Sequence, residues 1–92
     1  MEHPQVKNNE QQMQFEYAEN GEIARLEYRF HDNKIALMHT FVPESMKGKG
    51  IGSKLVEAAF IYAREVDKKV KVYCPFVAVH VKRHPELKEQ IG

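Results

Sequence analysis

A glycine-rich turn between two apolar segments is the feature that most constrains the fold of this chain. Three glycines, Gly48, Gly50 and Gly52, fall within five positions, after an apolar run at residues 35–42 and before a helical pattern that begins near Ile51. Glycine lets backbone amides approach a ligand without a Cβ in the way, and the first turn of a helix offers unpaired N–H groups. The segment therefore predicts a phosphate-binding turn, and a tight turn without a ligand is the alternative.

The spacing of the turn separates it from two other phosphate-binding motifs. A P-loop needs four residues between its first glycine and a Gly-Lys-Ser/Thr string, which the chain lacks. A dinucleotide fingerprint, Gly-x-Gly-x-x-Gly, would need a glycine where the chain has Ser53 or Leu55. The pattern that fits is basic-x-x-Gly-x-Gly, filled by Lys47, Gly50 and Gly52.

This pattern resembles the acetyl-coenzyme A pyrophosphate loop of the GNAT-type N-acetyltransferase superfamily. The narrower resemblance is to a small, single-domain branch, in which His39-Thr40-x-Val42-Pro43 leads into the loop and a cysteine, here Cys74, lies on the following strand. The resemblance covers residues 22–85. One residue departs from it, because Lys47 stands where the superfamily usually has Arg or Gln, and lysine lacks the planar fork of arginine.

Hydrophobic periodicity predicts four strands and two helices along the chain. The strands are expected at residues 13–18, 22–30, 35–42 and 70–74. One helix is expected from residue 51 to residues 67–69, and a second at 77–89, where Pro85 argues against a helix in the second half. Asn20-Gly21 is a strong hairpin signal with positive φ at both residues, and residues 31–34 predict a second turn. The run at 35–42 is apolar enough for a central strand covered on both faces.

These elements predict an α+β fold with a mixed, mostly antiparallel four-stranded sheet and two helices, in the order β-β-β-α-β-α. The helical crossover places the strand at 70–74 parallel to the strand at 35–42. This is a minimal GNAT-like fold. The resemblance implies that these two strands splay apart and that the pantetheine arm of the cofactor lies in the gap. The chain has no room for the helices after the first strand, or for the last two strands, that usually form the acceptor site.

Composition bounds the function classes. The chain has 92 residues and a formal net charge of +1 with interleaved charges, so one domain is expected and nucleic acid is an unlikely partner. A nucleic-acid-binding function would depend only on a few basic residues: Lys47, Lys49, Lys54 and the pair Lys82-Arg83. A single cysteine excludes an intramolecular disulfide, and without an apolar leader or membrane span we expect a cytoplasmic protein. Residues 1–12 are expected to be a flexible tail and residues 13–92 the GNAT-like domain.

The resemblance implies acetyl-coenzyme A as the co-substrate. Its pyrophosphate would bind at the turn, to Lys47, Gly48, Lys49, Gly50, Ile51, Gly52 and Ser53. Its thioester carbonyl would be held by the backbone amides of Phe41 and Val42, which would stabilise a developing oxyanion.

Two residues are candidates for catalysis. Cys74 would lie near the thioester, either as a nucleophile or as an acid that protonates the departing thiolate; the alternative is a small core residue. The usual superfamily acid is a tyrosine on the next helix, and residues 77–92 contain none. His39 could act as a base or activate Cys74, or it could be an ordinary histidine. Glu44 is a further base candidate, although a solvated loop residue is the simpler interpretation.

His80 and His84 have the i, i+4 spacing that can bind a metal. No cysteine or carboxylate nearby in sequence completes a ligand set, so we expect a surface pair and no metal. The remaining basic residues are expected to be solvated, with some of them near the 3′-phosphate of the cofactor: Arg64, Lys68, Lys69, Lys82 and Arg83.

Two hypotheses about function follow. The first is a minimal N-acetyltransferase that transfers an acetyl group to an unidentified amine, directly or through Cys74. The alternative is a non-catalytic acyl-coenzyme A-binding or protein-interaction module of the same fold. A homodimer that builds a shared acceptor cleft is compatible with either.

Overall fold

A five-stranded sheet with two helices forms the fold, as seen in a computed structural model that describes residues 6–92. The strands are β1 (Val6–Asn9), β2 (Gln14–Glu19), β3 (Glu22–His31), β4 (Lys34–Phe41) and β5 (Lys69–Val72). The helices are α1 (Ile51–Glu65) and α2 (Pro75–Arg83), with 3₁₀ turns at Glu44–Met46 and Pro85–Gln90. The strand order is β1-β2-β3-β4-β5, antiparallel up to β4 and parallel between β4 and β5. The parallel crossover predicted from the sequence is therefore confirmed.

Both hairpin turns have positive φ at their two central residues, which confirms the prediction for Asn20-Gly21. Asn20 and Gly21 have φ of 52° and 79°, and Asp32 and Asn33 have φ of 53° and 60°. Positive φ at both central residues matches the right-handed twist of the flanking strands. These turns fix the register of the β2–β3 and β3–β4 hairpins.

The core lies between the sheet and α1. Ala24, Leu26 and Tyr28 of β3 are buried on one face of the sheet, as the alternation in the sequence predicts. The buried residues of α1 recur at helical spacing and face them: Ile51, Gly52, Leu55, Val56, Ala59, Phe60 and Ala63. The packing of α1 on the sheet fixes the position of the glycine-rich turn that precedes the helix.

The sheet has five strands, so the expected count of four is wrong. The additional strand, β1, pairs with β2 from Val6↔Tyr17 to Asn9↔Gln14 and lies within the stretch expected to be a tail. The Tyr28 hydroxyl donates a hydrogen bond of 2.7 Å to Asn8 Oδ1 and helps to hold the strand. Residues 1–5 of the expected tail lie outside the described residues. The sequence of β1 is VKNN, which carries almost no periodic signal.

The second half of the chain departs from the expected boundaries at two places. β5 ends at Val72, so Cys74 is not on a strand but is the N-cap residue of α2. α2 ends at Arg83 instead of continuing to residue 89, because Pro85 cannot continue the helix, and a 3₁₀ turn follows. Ile91 then forms a parallel bridge with Val70.

β4 is only partly covered. Ile35, Ala36 and Leu37 are buried, but Met38 and Phe41 are 41% and 42% exposed. The expectation of a strand covered on both faces is therefore wrong for its second half. Among residues 6–92, no helix is long and apolar enough to cross a membrane.

Candidate functional site

Strands β4 and β5 separate halfway along β4. Their pairing ends at Leu37↔Val72, whereas β4 stays paired with β3 as far as Phe41↔Arg25. At the point of separation the Leu37 carbonyl accepts hydrogen bonds from the amides of Tyr73, at 3.0 Å, and Cys74, at 3.1 Å. Residues 38–41 therefore have no β5 partner in the ladder. Their backbone groups form an open edge inside the sheet.

A β-bulge lies at this point of β4. The register passes from Tyr28↔Leu37 to Glu27↔His39, which leaves Met38 as an extra residue on β4. A bulge bends its strand and increases the local twist. The bend coincides with the end of the β4–β5 ladder, which gives a local cause for the gap.

The glycine-rich turn has the backbone conformation that glycine favours. Gly48 and Gly50 have φ of 80° and 76°, in the left-handed region, and a Cβ at either position would have nothing within 4 Å. Gly50 is the N-cap residue of α1, and no side chain caps this helix end. The first amides of α1 therefore lack the side-chain acceptor that usually satisfies them.

An open groove of about 540 Å³ joins the turn to the gap. β4 and the residue after it contribute one wall, and the turn with the start of α1 contributes the other. The lining residues are His39, Thr40, Phe41, Val42, Met46, Lys47, Gly48, Gly50, Ile51, Gly52, Ser53 and Phe76. Eight of the residues expected from the sequence to touch the cofactor are thus brought to one groove, together with His39.

Cys74 lies at the end of the gap and not on the groove wall. Its side chain is buried, with 4% exposure, and its sulfur lies 3.2 Å from Thr40 Oγ1, a hydrogen bond in which either group can donate. His39 is exposed and pairs with Glu27, whereas Thr40 pairs with the buried Leu26. Successive strand residues point to opposite faces, so the side chain that reaches Cys74 is Thr40 and not His39.

Comparisons with known proteins agree with this geometry. The model of the GCN5-related N-acetyl-transferase family matches residues 14–91. The chain belongs to this family. Protein NATD1 of Mus musculus is 34% identical over 83 residues, which are 87% of this chain and 76% of NATD1. NATD1 of Danio rerio is 33% identical over 91 residues, which are 94% of this chain and 83% of NATD1.

A solved structure shows the same family fold. The solution structure of a GCN5-like protein from Staphylococcus aureus superposes with a TM-score of 0.74 at 29% sequence identity. The match covers 100% of this chain and 91% of that protein. The GNAT-like fold predicted from the sequence is therefore confirmed, with five strands in place of four.

The two lysines of the glycine-rich turn point in different directions. Lys47 lines the groove, and its Nζ lies 3.4 Å from Oε1 of the highly exposed Glu44. Lys49 does not line the groove, because its Nζ lies 3.0 Å from Glu19 Oε2 across the surface. Glu44 is also outside the groove wall. Of these charged side chains, Lys47 is the one placed to meet an anion in the groove.

Three lining residues were not among the predicted site residues: Thr40, Met46 and Phe76. Phe76 is the second residue of α2, and its ring lies against the first turn of α1 at Gly52. Met46, in the 3₁₀ turn, is 1% exposed and forms part of the groove floor. Phe76 follows Pro75, and a proline that starts a helix marks the next residues as its first turn. Pro75 therefore indicates that Phe76 lies in the first turn of a helix. The contact of Phe76 with Gly52 depends on tertiary packing and has no local signal.

The histidine pair on α2 is not the surface pair expected from the sequence. His80 is 6% exposed, and its ring stacks on that of His84 with centroids 4.4 Å apart. Burial, reinforced by the neighbouring His84, lowers the pKa of His80 below its usual value. Within residues 6–92, no group of three or more His, Cys, Asp or Glu side chains converges as a metal site would require. His84 itself is exposed, so the expected surface position is wrong for His80 alone.

Proposed function

We propose that this protein binds acetyl-coenzyme A and transfers the acetyl group to an amine. The observation that carries the proposal is a single groove that joins the glycine turn at the start of α1 to the open edge of β4. One end of such a groove suits phosphate and the other suits a chain with amide groups, which is the chemistry of coenzyme A. Membership of the GCN5-related N-acetyl-transferase family supports the same assignment.

The pyrophosphate would bind at the turn. Backbone amides from Gly48 to Ser53 and the positive end of the α1 dipole are suited to an anion, and Lys47 adds charge. The family more often has Arg or Gln at the position of Lys47. Lysine would act there as a point charge without the bidentate geometry of arginine.

The pantetheine arm would lie along the open edge of β4. An extended ligand with amide groups can hydrogen-bond to an unpaired strand edge as an added strand does. The amides of Phe41 and Val42, near the end of that edge, are suited to hold the thioester carbonyl and to stabilise negative charge on its oxygen. Residues 38–41 are the part of β4 that β5 leaves unpaired.

Transfer would occur by attack of a neutral amine on the thioester carbon. A C–N bond forms and the C–S bond breaks, while the amine proton passes to a base and the departing thiolate takes up a proton. His39 is exposed on the groove wall and suits the role of base. Cys74 suits the role of proton donor to the thiolate, with Thr40 as its hydrogen-bond partner.

A route through an acetylated Cys74 is the second form of this mechanism. In that route the Cys74 sulfur attacks the thioester, coenzyme A leaves, and the amine then attacks the new thioester. The low exposure of Cys74 and its position off the groove wall favour direct attack by the amine.

The test is a titration of acetyl-coenzyme A into isotopically labelled protein, followed by backbone amide shifts. We expect saturable shifts at residues 41–42 and 47–53 that extend to Cys74, with no shift in the turn at Asp32 and Asn33, which lies at the opposite end of β4 from Phe41. Absence of shifts in the groove at about 1 mM ligand would contradict cofactor binding, because a dissociation constant of that size corresponds to a binding free energy of only roughly −4 kcal/mol.

A non-catalytic acyl-coenzyme A-binding module is the second candidate. It is favoured by the burial of Cys74, which limits access of a substrate to its sulfur. Cofactor binding without turnover over a broad panel of amines and peptides would support this candidate. Turnover of any one amine, lost in a Cys74→Ala variant, would exclude it.

A further inference from the structure

Gly52 and Phe76 contact each other across the groove, between the first turn of α1 and the first turn of α2. A Cβ built on Gly52 would lie 2.6 Å from Cζ and 2.9 Å from Cε2 of the Phe76 ring. Real Cβ contacts essentially never fall below 3.0 Å. Either the ring or the helix would have to move to accommodate even an alanine at this position.

Gly52 differs in this respect from the other glycines of the turn. Gly48 and Gly50 have positive φ and open space around them, as expected of glycines that shape a loop. Gly52 is a helical residue without positive φ, and the neighbour that requires its missing side chain is a phenylalanine ring. The pattern basic-x-x-Gly-x-Gly therefore combines two different physical requirements.

Phe76 is also a wall of the groove. Its side chain is 43% exposed, and the groove is bounded by this ring, by β4 and by the turn. Pro75 fixes the start of α2, and Cys74 at the N-cap is held by the Leu37 carbonyl. The start of α2 thus fixes the backbone position of Phe76, and the edge of its ring packs against Gly52.

We infer that Phe76 is a binding residue for the pantetheine arm, and that the missing side chain of Gly52 is required to seat the Phe76 ring, while the backbone amide of Gly52 stays available to the pyrophosphate. This inference depends on the proposed function, because it assigns the contacts of the same groove. The exposed face of the ring is apolar and lies on the section of the groove between the turn and the gap. It suits the methyl-bearing, uncharged part of the arm, which has to pass between the glycine turn and residues 40–42.

The test is a double-mutant cycle measured with two ligands. The proteins are the parent, Gly52→Ala, Phe76→Ala and the double variant. The ligands are coenzyme A and 3′-phosphoadenosine 5′-diphosphate, which keeps the pyrophosphate and lacks the arm. Affinities are measured by calorimetry, and amide spectra of each variant report whether the fold is retained.

We expect Phe76→Ala to weaken binding of coenzyme A by roughly tenfold, the effect of losing about 55 Å² of apolar contact. Gly52→Ala should weaken coenzyme A as well, because the new Cβ displaces the ring. The double variant should bind no more weakly than Phe76→Ala, because the clash is then gone. All four proteins should bind 3′-phosphoadenosine 5′-diphosphate equally.

Val79→Ala is the matched control on the same helix. Val79 is 49% exposed and does not line the groove, so its truncation should leave both affinities unchanged. Coenzyme A binding by Phe76→Ala equal to that of Val79→Ala would overturn the role of the ring. Gly52→Ala could instead weaken coenzyme A binding equally with and without Phe76, and also weaken binding of the ligand that lacks the arm. That result would assign the missing side chain of Gly52 to the pyrophosphate site. Failure of the parent to bind coenzyme A would instead contradict the proposed function itself.

Discussion

Cys74 and Thr40 are in contact where the backbones of β4 and β5 have already separated. Their side chains lie 3.2 Å apart, and the sulfur is buried behind the groove wall. In the proposed mechanism this thiol would donate its proton to the departing coenzyme A thiolate. The same contact also closes the end of the gap. A structural role and a chemical role of Cys74 can be separated by comparing Cys74→Ala with Thr40→Val.

We expect Cys74→Ala to lower the rate of acetyl transfer by about a hundredfold or more, in the range of lost acid catalysis. Coenzyme A affinity should change by less than about twofold, because Cys74 does not line the groove. Thr40→Val should lower the rate by a smaller factor, because it removes the hydroxyl partner of the sulfur. The measurement is steady-state transfer with an amine substrate, and a parental rate in Cys74→Ala would rule out a chemical role for the thiol.

Gly48 and Gly21 form a matched pair for testing the turn. Their φ angles are 80° and 79°, and a Cβ on either would meet nothing within 4 Å. Alanine at each position should therefore reduce the free energy of unfolding by a similar amount, about 1–2 kcal/mol. Only Gly48→Ala should weaken coenzyme A binding, by roughly tenfold, since Gly48 lines the groove and Gly21 does not. Thermal melts and calorimetry measure both quantities, and equal affinities for the two variants would exclude a role of the turn in binding.

The sequence was informative at the residue level where a residue acts through its own backbone. Gly48 and Gly50 could be recognised because positive φ is a local property. The contact between Thr40 and Cys74 required the bulge at Met38 and the end of β5, which no local pattern encodes. The direction of the Lys49 side chain depends on Glu19, thirty positions away in the chain.

At the scale of elements, local signals determined the turns and α1, and they failed where tertiary contacts decide. The two hairpin turns and the start of α1 agree with the structure because turn chemistry and helical periodicity are properties of short segments. β1 forms from a polar sequence because β2 offers it an edge and Tyr28 gives Asn8 a partner. The end of β5 is set by the divergence from β4 and not by Pro75 alone.

Helix α2 has a pH-dependent anchor in His80. Burial and the neighbouring His84 lower the pKa of His80 in the folded protein, so the unfolded chain binds its proton more readily. Arg83 acts in the same direction, whereas Glu57 of α1 and Glu86 oppose the shift. The stabilisation from neutral His80 is present above the unfolded pKa, near 6.5, and is lost as pH falls through the lower folded pKa.

We therefore expect the parent protein to lose more stability between about pH 7.5 and about pH 5 than a His80→Gln variant does. Urea midpoints at several pH values measure the difference. His31→Gln is the control, because His31 is an exposed residue at the β3–β4 turn. Parallel pH profiles for the parent and His80→Gln would contradict the assignment of the anchor to His80.

At the scale of the whole molecule, the proposed transfer requires a place for an amine beside the proposed cofactor groove. Exposed Met38, Phe41 and Tyr73 lie near the gap. A homodimer with a shared acceptor cleft stays a proposal, and light scattering that gives a monomeric mass at high concentration would count against it.

The strands are arranged across the sheet in the order in which they occur along the chain, from β1 to β5. Three consecutive hairpins build the antiparallel part, and short sequence separation between partners favours rapid folding. β5 alone requires a helical crossover, so its pairing has the largest loop-closure entropy to overcome. The groove lies at this last junction. The walls of the groove would therefore be completed after strands β1 to β4 have paired. Substitutions in β5 and α2 should then accelerate unfolding more than they slow folding.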